Sequence, residues 1–308
     1  MFMNNALLIA DSGSTKTDWI FVAPDGTQAR LQTDGINPAR DTRDIIYNVL
    51  YHQLLTQMPS PVLQTSPTRG VKGCDFSPSP LEREGVRLSV FFYGAGCIEP
   101  FSQSVRNVLK ELFPNCTVEV ESDLLGAARA LCGREPGIAC ILGTGSNSCL
   151  YDGKDIVKHT PPLGYILGDE GSGSFLGKSL LNGLFKGILP ESLKEAFCDK
   201  YSLSLPDIIG RVYRQPVPNT FLASLVPFIA EHRTQPAIHD MLVDAFRLFI
   251  TNNIVIYGHK EMPINCVGGI AYQFEEELRA AAAAKDMQIG HILRRPIERI
   301  VQYHLYEH

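Results

Sequence analysis

The sequence lacks the marks of several protein classes. Its 308 residues carry a net charge of −5, so there is no basic excess to hold nucleic acid or an anionic membrane. No apolar run approaches the roughly 20 residues that a membrane-spanning helix needs. The first five residues show neither the cationic flank nor the apolar core of a signal peptide. We therefore expect a cytoplasmic protein without nucleic-acid or membrane partners.

Two further motifs are missing. The eight cysteines form no Cys-x-x-Cys pair, and Cys140, Cys149 and Cys266 lie in apolar, strand-like runs, which indicates buried free thiols. A Walker loop is also absent, because no Gly-Lys-Ser/Thr stands at the required spacing. Any phosphate site must therefore be built from other turns.

Length and composition predict two domains. With 44% hydrophobic residues the chain can bury a sizeable core, and its length suits two units. We place an N-terminal lobe at residues 1–133 and a C-terminal lobe at 134–308, with the last helix returning to the first lobe. The Pro- and Ser-rich stretch at about 59–87 is interpreted as an insertion.

A hydroxyl-rich turn follows the first predicted strand. Leu7–Ala10 and Asp18–Val22 are predicted strands, and Asp11–Thr17 connects them. Such a turn offers backbone and hydroxyl donors to phosphate, one ammonium, and a carboxylate that can hold Mg²⁺ through water. The candidates are Asp11, Gly13, Ser14, Thr15 and Lys16. The alternative is an ordinary hairpin with a solvated Asp and Lys.

A similar unit recurs later in the chain. Ile138–Leu142 is a predicted strand, and a Gly/Ser-rich turn leads from it to a second strand, Cys149–Tyr151. Aligned glycines make this a weak internal repeat, which favours two related lobes. Glycines let the backbone approach a phosphate. The candidates are Gly143, Thr144, Gly145 and Ser146; a flexible loop is the alternative.

Asp123 lies between a predicted strand and the Ala-rich helix Leu124–Cys132. From the residues alone the first interpretation is an N-cap, a frequent role for aspartate. The second is a general base that takes a proton from a hydroxyl during phosphoryl transfer, a reaction that otherwise needs mainly alignment and charge neutralisation.

Three more segments are candidates for ligand contact. Gly164–Ser174 packs two carboxylates into a glycine-rich turn, which suits a polyhydroxylated ligand or a capped helix start. Asn37 precedes a proline and could bind hydroxyls or shape a turn. Gly268–Ala271 offers a surface with small side chains, for a flat base or for close helix packing.

Taken in order, these motifs resemble the N-acetylglucosamine kinase group of the actin-like ATPase superfamily. The resemblance covers nearly the whole chain outside residues 59–87. The matching segments are Asp11–Thr17 and Gly143–Asn147 for phosphate, Glu121–Asp123 for the catalytic aspartate, Gly168–Ser172 for the sugar and Gly268–Ala271 for adenosine, with Phe221–Ala223 a weaker nucleotide-side match.

The resemblance implies an α/β fold of two ribonuclease-H-like lobes with a cleft between them. It implies an ATP- and Mg²⁺-dependent kinase that phosphorylates the 6-hydroxyl of an N-acetylated amino sugar, with Asp123 as base. Thr15 and Thr144 would meet the phosphates, and Gly268, Gly269 and Ala271 the adenosine. The implied sugar contacts are Asn37, Asp123, Ser146, Gly164 and Asp169. A homodimer is an open option.

The chain departs from the family's pattern in two places: the turn at residues 161–164, and the insertion at about 59–87, which could perturb the first lobe. Pro161-Pro162-Leu163-Gly164 replaces the family's Gly-Gly-Trp-Gly turn, so glucosamine or N-acetylmuramic acid stay open as substrates. A dehydratase activator would share the ATP motifs but needs thiolates for an iron–sulfur cluster, for which Cys97 and Cys132 are faint candidates. A non-catalytic sugar sensor is the third reading.

Overall fold

The computed structural model describes residues 5–13, 15–59 and 87–305. By its internal contacts the chain divides into two compact units. Unit 1 is Met1–Gly126 with Ile297–His308, and unit 2 is Ala127–Pro296. The division thus falls a few residues before position 133, where the sequence placed it.

Unit 1 is a five-stranded sheet with helices. Its elements are β1 (Asn5–Ser12), β2 (Lys16–Val22), β3 (Gln28–Asp34), α1 (Arg43–Asn48), which continues through a π-helical turn (Val49–Leu54) and a 3₁₀ turn (Leu55–Gln57), β4 (Arg87–Gly94), α2 (Ser102–Leu112), β5 (Thr117–Ser122), the start of α3 (Asp123–Cys132), and the last helix, α13 (Ile297–Leu305). The strand order is β3-β2-β1-β4-β5.

The central strand explains the sequence pattern of unit 1. Residues 6–10 of β1 have no exposed surface, since β1 pairs antiparallel with β2 and parallel with β4 while helices cover the sheet. Ile46 and Leu50 from α1 and Val105 from α2 enter one core cluster. Helix α13 packs against β1 and β2, so the end of the chain belongs to unit 1.

Unit 2 contains a second five-stranded sheet and most of the helices. Its strands are β6 (Gly137–Leu142), β7 (Ser146–Tyr151), β8 (Ile156–Thr160), β9 (Ile264–Val267) and β10 (Ile289–Leu293). Its helices are α4 (Gly164–Leu167), α5 (Gly173–Phe185), α6 (Glu191–Tyr201), α7 (Leu205–Tyr213), α8 (Pro218–Ala223), α9 (Val226–Glu231), α10 (Pro236–Phe249), extended by a π-helical turn (Ile250–Ile254) and a 3₁₀ turn (Val255–Tyr257), α11 (Gly269–Gln273) and α12 (Glu275–Ala283).

The two sheets have the same topology. In unit 2 the order is β10-β9-β6-β7-β8, with β6-β7-β8 antiparallel and β9 and β10 parallel to β6. Read from β8, this is the order of unit 1 strand for strand. The weak repeat seen in two turns is therefore a repeat of a whole sheet, and the prediction of two ribonuclease-H-like α/β lobes is confirmed.

The structure adds elements that the sequence did not reveal. Strands β8 and β10 were not predicted, and neither was the break at Phe274 that separates α11 from α12. Phe274 is fully buried, so the break turns its ring into the core. The predicted insertion at about 59–87 lies almost wholly outside the described residues. Within the described ranges no helix has the length and apolarity needed to cross a bilayer.

One close packing contact in unit 2 can be tested. A Cβ on Gly177, inside α5, would lie 2.0 Å from the carbonyl oxygen of Leu222 in α8, whereas a Cβ on Gly210, inside α7, would meet nothing within 4 Å. We expect Gly177→Ala to lower the free energy of unfolding by about 1–3 kcal/mol, the usual cost of overpacking. The matched control Gly210→Ala should raise it by about 0.5–1 kcal/mol, because alanine favours the helix. Urea unfolding followed by circular dichroism measures the free energy of unfolding of both variants. Equal values for Gly177→Ala and Gly210→Ala would contradict the contact.

Candidate active site

Asp11 stands at the end of the central strand of unit 1. It pairs in register with Asp18 on β2 and with Tyr93 on β4. The following turn is closed by a hydrogen bond from the Gly13 amide to the Lys16 carbonyl oxygen, 3.0 Å. Ser14 lies outside the described residues. The sheet therefore places the carboxylate of Asp11 directly before an exposed turn.

Ser12 ties this turn to the segment that leads to Asn37. Its buried Oγ lies 2.8 Å from Thr17 Oγ1, and it exchanges hydrogen bonds with the backbone N–H and C=O of Ile36, each 3.1 Å. The predicted phosphate turn and the predicted sugar residue Asn37 are thus parts of one rigid corner of unit 1.

Asn37 is held with its amide nitrogen available. Its Oδ1 accepts from the Ala39 amide at 3.1 Å, and its backbone N–H donates to Asp41 Oδ2 at 2.7 Å. A Cβ on Gly96 would lie 2.1 Å from Asn37 Oδ1, so only glycine leaves room there. Among the described residues Asn37 Nδ2 has no hydrogen-bond partner, which leaves two N–H donors for a hydroxylated ligand.

Lys16 is already in an ion pair. Its Nζ lies 3.0 Å from both carboxylate oxygens of Asp18, and Gln32 Nε2 donates to Asp18 Oδ1 at 2.6 Å. The predicted phosphate contact of Lys16 would require it to leave Asp18.

Burial changes the acidity of two aspartates in unit 1. It raises the pKa of Asp123 to about 6, opposed by a hydrogen bond from the Leu124 amide. Burial, together with the negative charges of Asp123 and Asp18, raises the pKa of Asp11 to about 7. These carboxyl groups therefore titrate near neutral pH.

The structure tests the interpretation of Asp123 as the N-cap of a helix. Ser122 is the N-cap of α3, since its Oγ accepts from the Leu125 amide at 3.2 Å. Asp123 is the first residue of the helix, and its Oδ1 accepts from the adjacent Leu124 amide, 2.9 Å. The N-cap interpretation of Asp123 is therefore wrong.

The second turn, in unit 2, is fixed by the start of α5. The Gly143 amide donates to Gly145 O at 2.9 Å, while the amides of Gly173 and Ser174 donate to Gly143 O and Thr144 O at 2.8 and 3.0 Å. The helix start thus holds the loop by its carbonyl groups and leaves the Thr144 side chain exposed.

Asp169 reaches the same loop. Its Oδ1 accepts from the Ser146 amide at 3.2 Å, and a Cβ on Gly145 would come within 3.1 Å of its Oδ2. Burial raises the pKa of Asp169, while the Ser146 hydrogen bond lowers it. Gly145 and Ser146 therefore lie against Asp169, the predicted sugar residue. Gly143 and Thr144 instead line a separate pocket.

Asp169 is held by a strained turn. Its φ is +55°, a left-handed conformation that costs an aspartate some energy. The Asp169 amide donates to Pro162 O at 3.0 Å, and a Cβ on Gly168 would lie 2.1 Å from that oxygen. Gly164, with φ of +71°, begins the one-turn helix α4 that leads to this site.

A pocket of about 740 Å³ opens beside Gly143 and Thr144. Of the predicted adenosine residues, Gly269 lines it, whereas Ala271 is fully buried in the core. Gly268 serves close packing, because its φ is +127° and a Cβ would lie 2.2 Å from Leu142 O. The other lining residues are Gly173, Ala223, Val226, Ile270, Tyr272, Gln273 and Arg294.

Three polar residues of this pocket were missed from the sequence. Tyr272 and Gln273 directly follow the Gly268–Ala271 motif, so a longer motif would have found them. Arg294 follows β10, which had not been predicted, and gave no signal. Its Cζ lies 5.9 Å from the centre of the Tyr272 ring. Ala223 belongs to the weakly matched segment Phe221–Ala223.

Comparison with solved structures finds one relative of high identity and others that share the fold. A proposed N-acetylglucosamine kinase of Porphyromonas gingivalis is 41% identical with a TM-score of 0.86, covering 98% of this chain and 99% of the other. A proposed N-acetylglucosamine kinase of Chromobacterium violaceum is 16% identical with a TM-score of 0.71, covering 97% and 98%. The ethanolamine utilization protein EutJ of Carboxydothermus hydrogenoformans is 12% identical with a TM-score of 0.52, covering 95% and 87%.

The last two resemblances concern the fold alone. Neither a protein-family model nor a curated protein matches the chain.

The buried charge of Asp11 predicts a pH-dependent stability. Because its pKa in the folded protein lies above the ordinary value of 3.8, the folded chain resists ionisation and loses stability as pH rises from about 4 to about 7. Asn cannot ionise. In Mg²⁺-free buffer we expect Asp11→Asn to raise the unfolding temperature at pH 8 and much less at pH 5. Asp44→Asn, at an exposed site, should show no such pH dependence. A gain from Asp11→Asn that is equal at both pH values would contradict the raised pKa.

Proposed function

The chain belongs to the N-acetylglucosamine kinase group and is an ATP-dependent sugar kinase, and we propose that it transfers the γ-phosphate of ATP to the 6-hydroxyl of N-acetylglucosamine. The family rests on 41% identity over 98% of the chain. The substrate is inferred from the description of that relative and from the motifs. Since ATP is the donor, we place the reaction in the cytoplasm, within amino sugar metabolism.

The observation that carries the mechanism is the position of Asp123. A base for a sugar hydroxyl must be ionised at working pH yet able to accept a proton, so a pKa near neutrality suits it. Burial raises the pKa of Asp123 to about 6, and Ser122 fills the capping role. In the proposed step Asp123 accepts the hydroxyl proton as the sugar oxygen attacks the γ-phosphorus and ADP leaves.

Among the described residues no group of three acidic, histidine or cysteine side chains could hold a metal directly, so a magnesium ion in unit 1 would bind through water. Asp11 lies near the carboxylates of Asp18 and Asp123, and their mutual repulsion contributes to its raised pKa. A divalent cation would relieve that repulsion, and Mg²⁺ prefers oxygen ligands with several waters. We assign Asp11 as its ligand through water. When bound, the ion would neutralise charge on the phosphates.

Phosphate and sugar contacts follow from the turn geometries. Gly13, Thr15 and, after release from Asp18, Lys16 are the proposed phosphate contacts of unit 1, with Gly143 and Thr144 in unit 2. The proposed sugar contacts are the Nδ2 donors of Asn37, the carboxylates of Asp123 and Asp169, and the region of Ser146 and Gly164. Asp169 suits paired hydroxyls, because one carboxylate oxygen is fixed by the Ser146 amide while the other can accept.

Cysteine chemistry argues against the activator alternative. An iron–sulfur cluster needs thiolates. Burial raises the pKa of Cys97 to about 12 and that of Cys132 to about 11, so both thiols stay protonated at neutral pH.

A coupled assay of ADP release tests the proposed function. With Mg·ATP and purified protein, we expect strong turnover with N-acetylglucosamine and almost none without sugar. N-acetylmannosamine, N-acetylmuramic acid, glucosamine and glucose should be poorer acceptors, and phosphorus NMR of the product should show a 6-phosphate. Preference for another sugar would correct the substrate. Hydrolysis of ATP independent of sugar would favour the activator, and no hydrolysis the sensor.

Removal of the base is the sharpest test of the mechanism. We expect Asp123→Asn to bind N-acetylglucosamine nearly as well as the wild type but to lower kcat by roughly 10²–10⁴-fold, as for a lost general base. In the wild type kcat/KM should fall below about pH 6, because protonation removes the base. Steady-state kinetics and sugar binding by calorimetry measure these effects.

Asp44→Asn is the matched control, since Asp44 also lies in the first turn of a helix but is exposed. It should leave kcat unchanged. More than about half the activity retained in Asp123→Asn would rule out Asp123 as the base.

A further inference from the structure

We propose that Tyr272 and Arg294 clamp the flat faces of the nucleotide base, and that this clamp selects purine over pyrimidine nucleotides without separating adenine from guanine. The inference rests on the proposed function for its ligand, a nucleoside triphosphate. It goes further in assigning the residues that determine base specificity.

The two side chains come from separate elements and meet over one pocket. Tyr272 lies near the end of α11, and Arg294 follows directly after β10. The guanidinium carbon lies 5.9 Å from the centre of the Tyr272 ring, and both residues line the space that Gly143 and Thr144 also line. The pocket thus combines backbone groups suited to phosphate with a ring and a planar cation.

The side chains of Tyr272 and Arg294 have no evident structural role. Apart from their mutual contact, the side chains of Tyr272 and Arg294 make no hydrogen bond or ion pair with the residues that the structure describes, and Tyr272 is 54% exposed. A large aromatic ring exposed beside a cation that lacks a carboxylate partner is suited to a planar ligand. Guanidinium planes and aromatic rings both stack on bases.

The rest of the pocket has room for a base. A Cβ on Gly269 would meet nothing within 4 Å, so the floor is open there. Ile270, Val226 and Ala223 supply apolar walls. Arg294 now contacts the Tyr272 ring, so a base that displaces Arg294 from the ring and stacks between the two side chains would bury both of its faces. A purine has two fused rings and a pyrimidine one, so the purine gains more from this stacking.

The polar groups at the base edge do not distinguish the two purines. Adenine presents an amino donor where guanine presents a carbonyl acceptor. Gln273 can meet either, because its amide offers both a donor and an acceptor and can turn over. Among the described residues, none that lines the pocket carries a carboxylate, the group that would select guanine by its N–H donors.

Binding of four nucleotides tests the clamp. Calorimetry on the full chain with Mg²⁺ and without sugar would compare ATP, GTP, CTP and UTP. We expect ATP and GTP to bind within about fivefold of each other, since Gln273 accommodates both. CTP and UTP should bind roughly 10- to 100-fold more weakly, the effect of reduced stacking.

Variants separate stacking from charge. Tyr272→Leu should bring the purine and pyrimidine affinities together, whereas Tyr272→Phe should keep the preference. Arg294→Ala should weaken ATP and GTP more than CTP and UTP and leave inorganic tripolyphosphate binding unchanged. Tyr213→Leu and Arg214→Ala, on the exposed end of α7, are matched controls and should bind like the wild type.

Three results would overturn the clamp. The first is equal affinity of the wild type for all four nucleotides. The second is a preference of more than about 50-fold between ATP and GTP, because a Gln273 amide that can turn over should accept both purines. The third is a loss of tripolyphosphate binding in Arg294→Ala, which would make Arg294 a phosphate ligand. Because the measurement uses no sugar, purine binding without sugar phosphorylation would refute the proposed function and leave the clamp intact.

Discussion

The burial of acidic groups at one edge of the unit 1 sheet is the constraint on which the proposed chemistry depends. Asp11 ends the central strand β1, and Asp123 follows β5, two positions along the sheet. Both strands run parallel to β4, so both carboxyl ends lie at the same edge. The sheet therefore forces two carboxylates into a partly dry environment, where their ionised forms are disfavoured. What costs stability in the free protein would supply the base and the metal ligand of the proposed reaction.

Unit 2 has the same sheet topology as unit 1, but its turn is held by different contacts. Its turn after β6 is held by the start of α5 and by the carboxylate of Asp169. Glycines at positions 145, 168 and 268 leave space for these close approaches, where a side chain would collide with a carboxylate or a carbonyl oxygen. These contacts hold the loop without a ligand, which would reduce the entropy lost on the proposed binding of phosphate.

Much of the fold could be predicted because the buried strands are apolar and end at polar turns. The apolar runs predicted β1, β2, β6 and β7, and two similar turns pointed to a repeat. Strands β8 and β10 were missed since they lie at sheet edges, where partly exposed residues carry a weaker hydrophobic signal. The break between α11 and α12 at Phe274 depends on the burial of the Phe274 ring in the core. That burial is a tertiary contact, which no local sequence pattern predicts.

The candidate site was less predictable than the fold. Short motifs located Asp11, Asn37, Asp123 and Asp169, but not which side chains they engage. Only the structure shows that Ser122 caps α3, that Lys16 is paired with Asp18, and that Ala271 is buried. Tyr272 and Arg294 meet because β10 ends next to α11, a tertiary contact without a trace in the sequence. The predicted roles themselves stay predictions.

The central claim is that burial makes Asp123 a base matched to neutral pH. Titration of the free protein by carbon-13 NMR, with aspartate labelled at its carboxyl carbon and Asp123 assigned through Asp123→Asn, measures this directly. The account predicts that Asp123 titrates with a pKa of about 6. A pKa near 3.8, the ordinary value for aspartate, would contradict it and leave the chain without a base tuned by its fold.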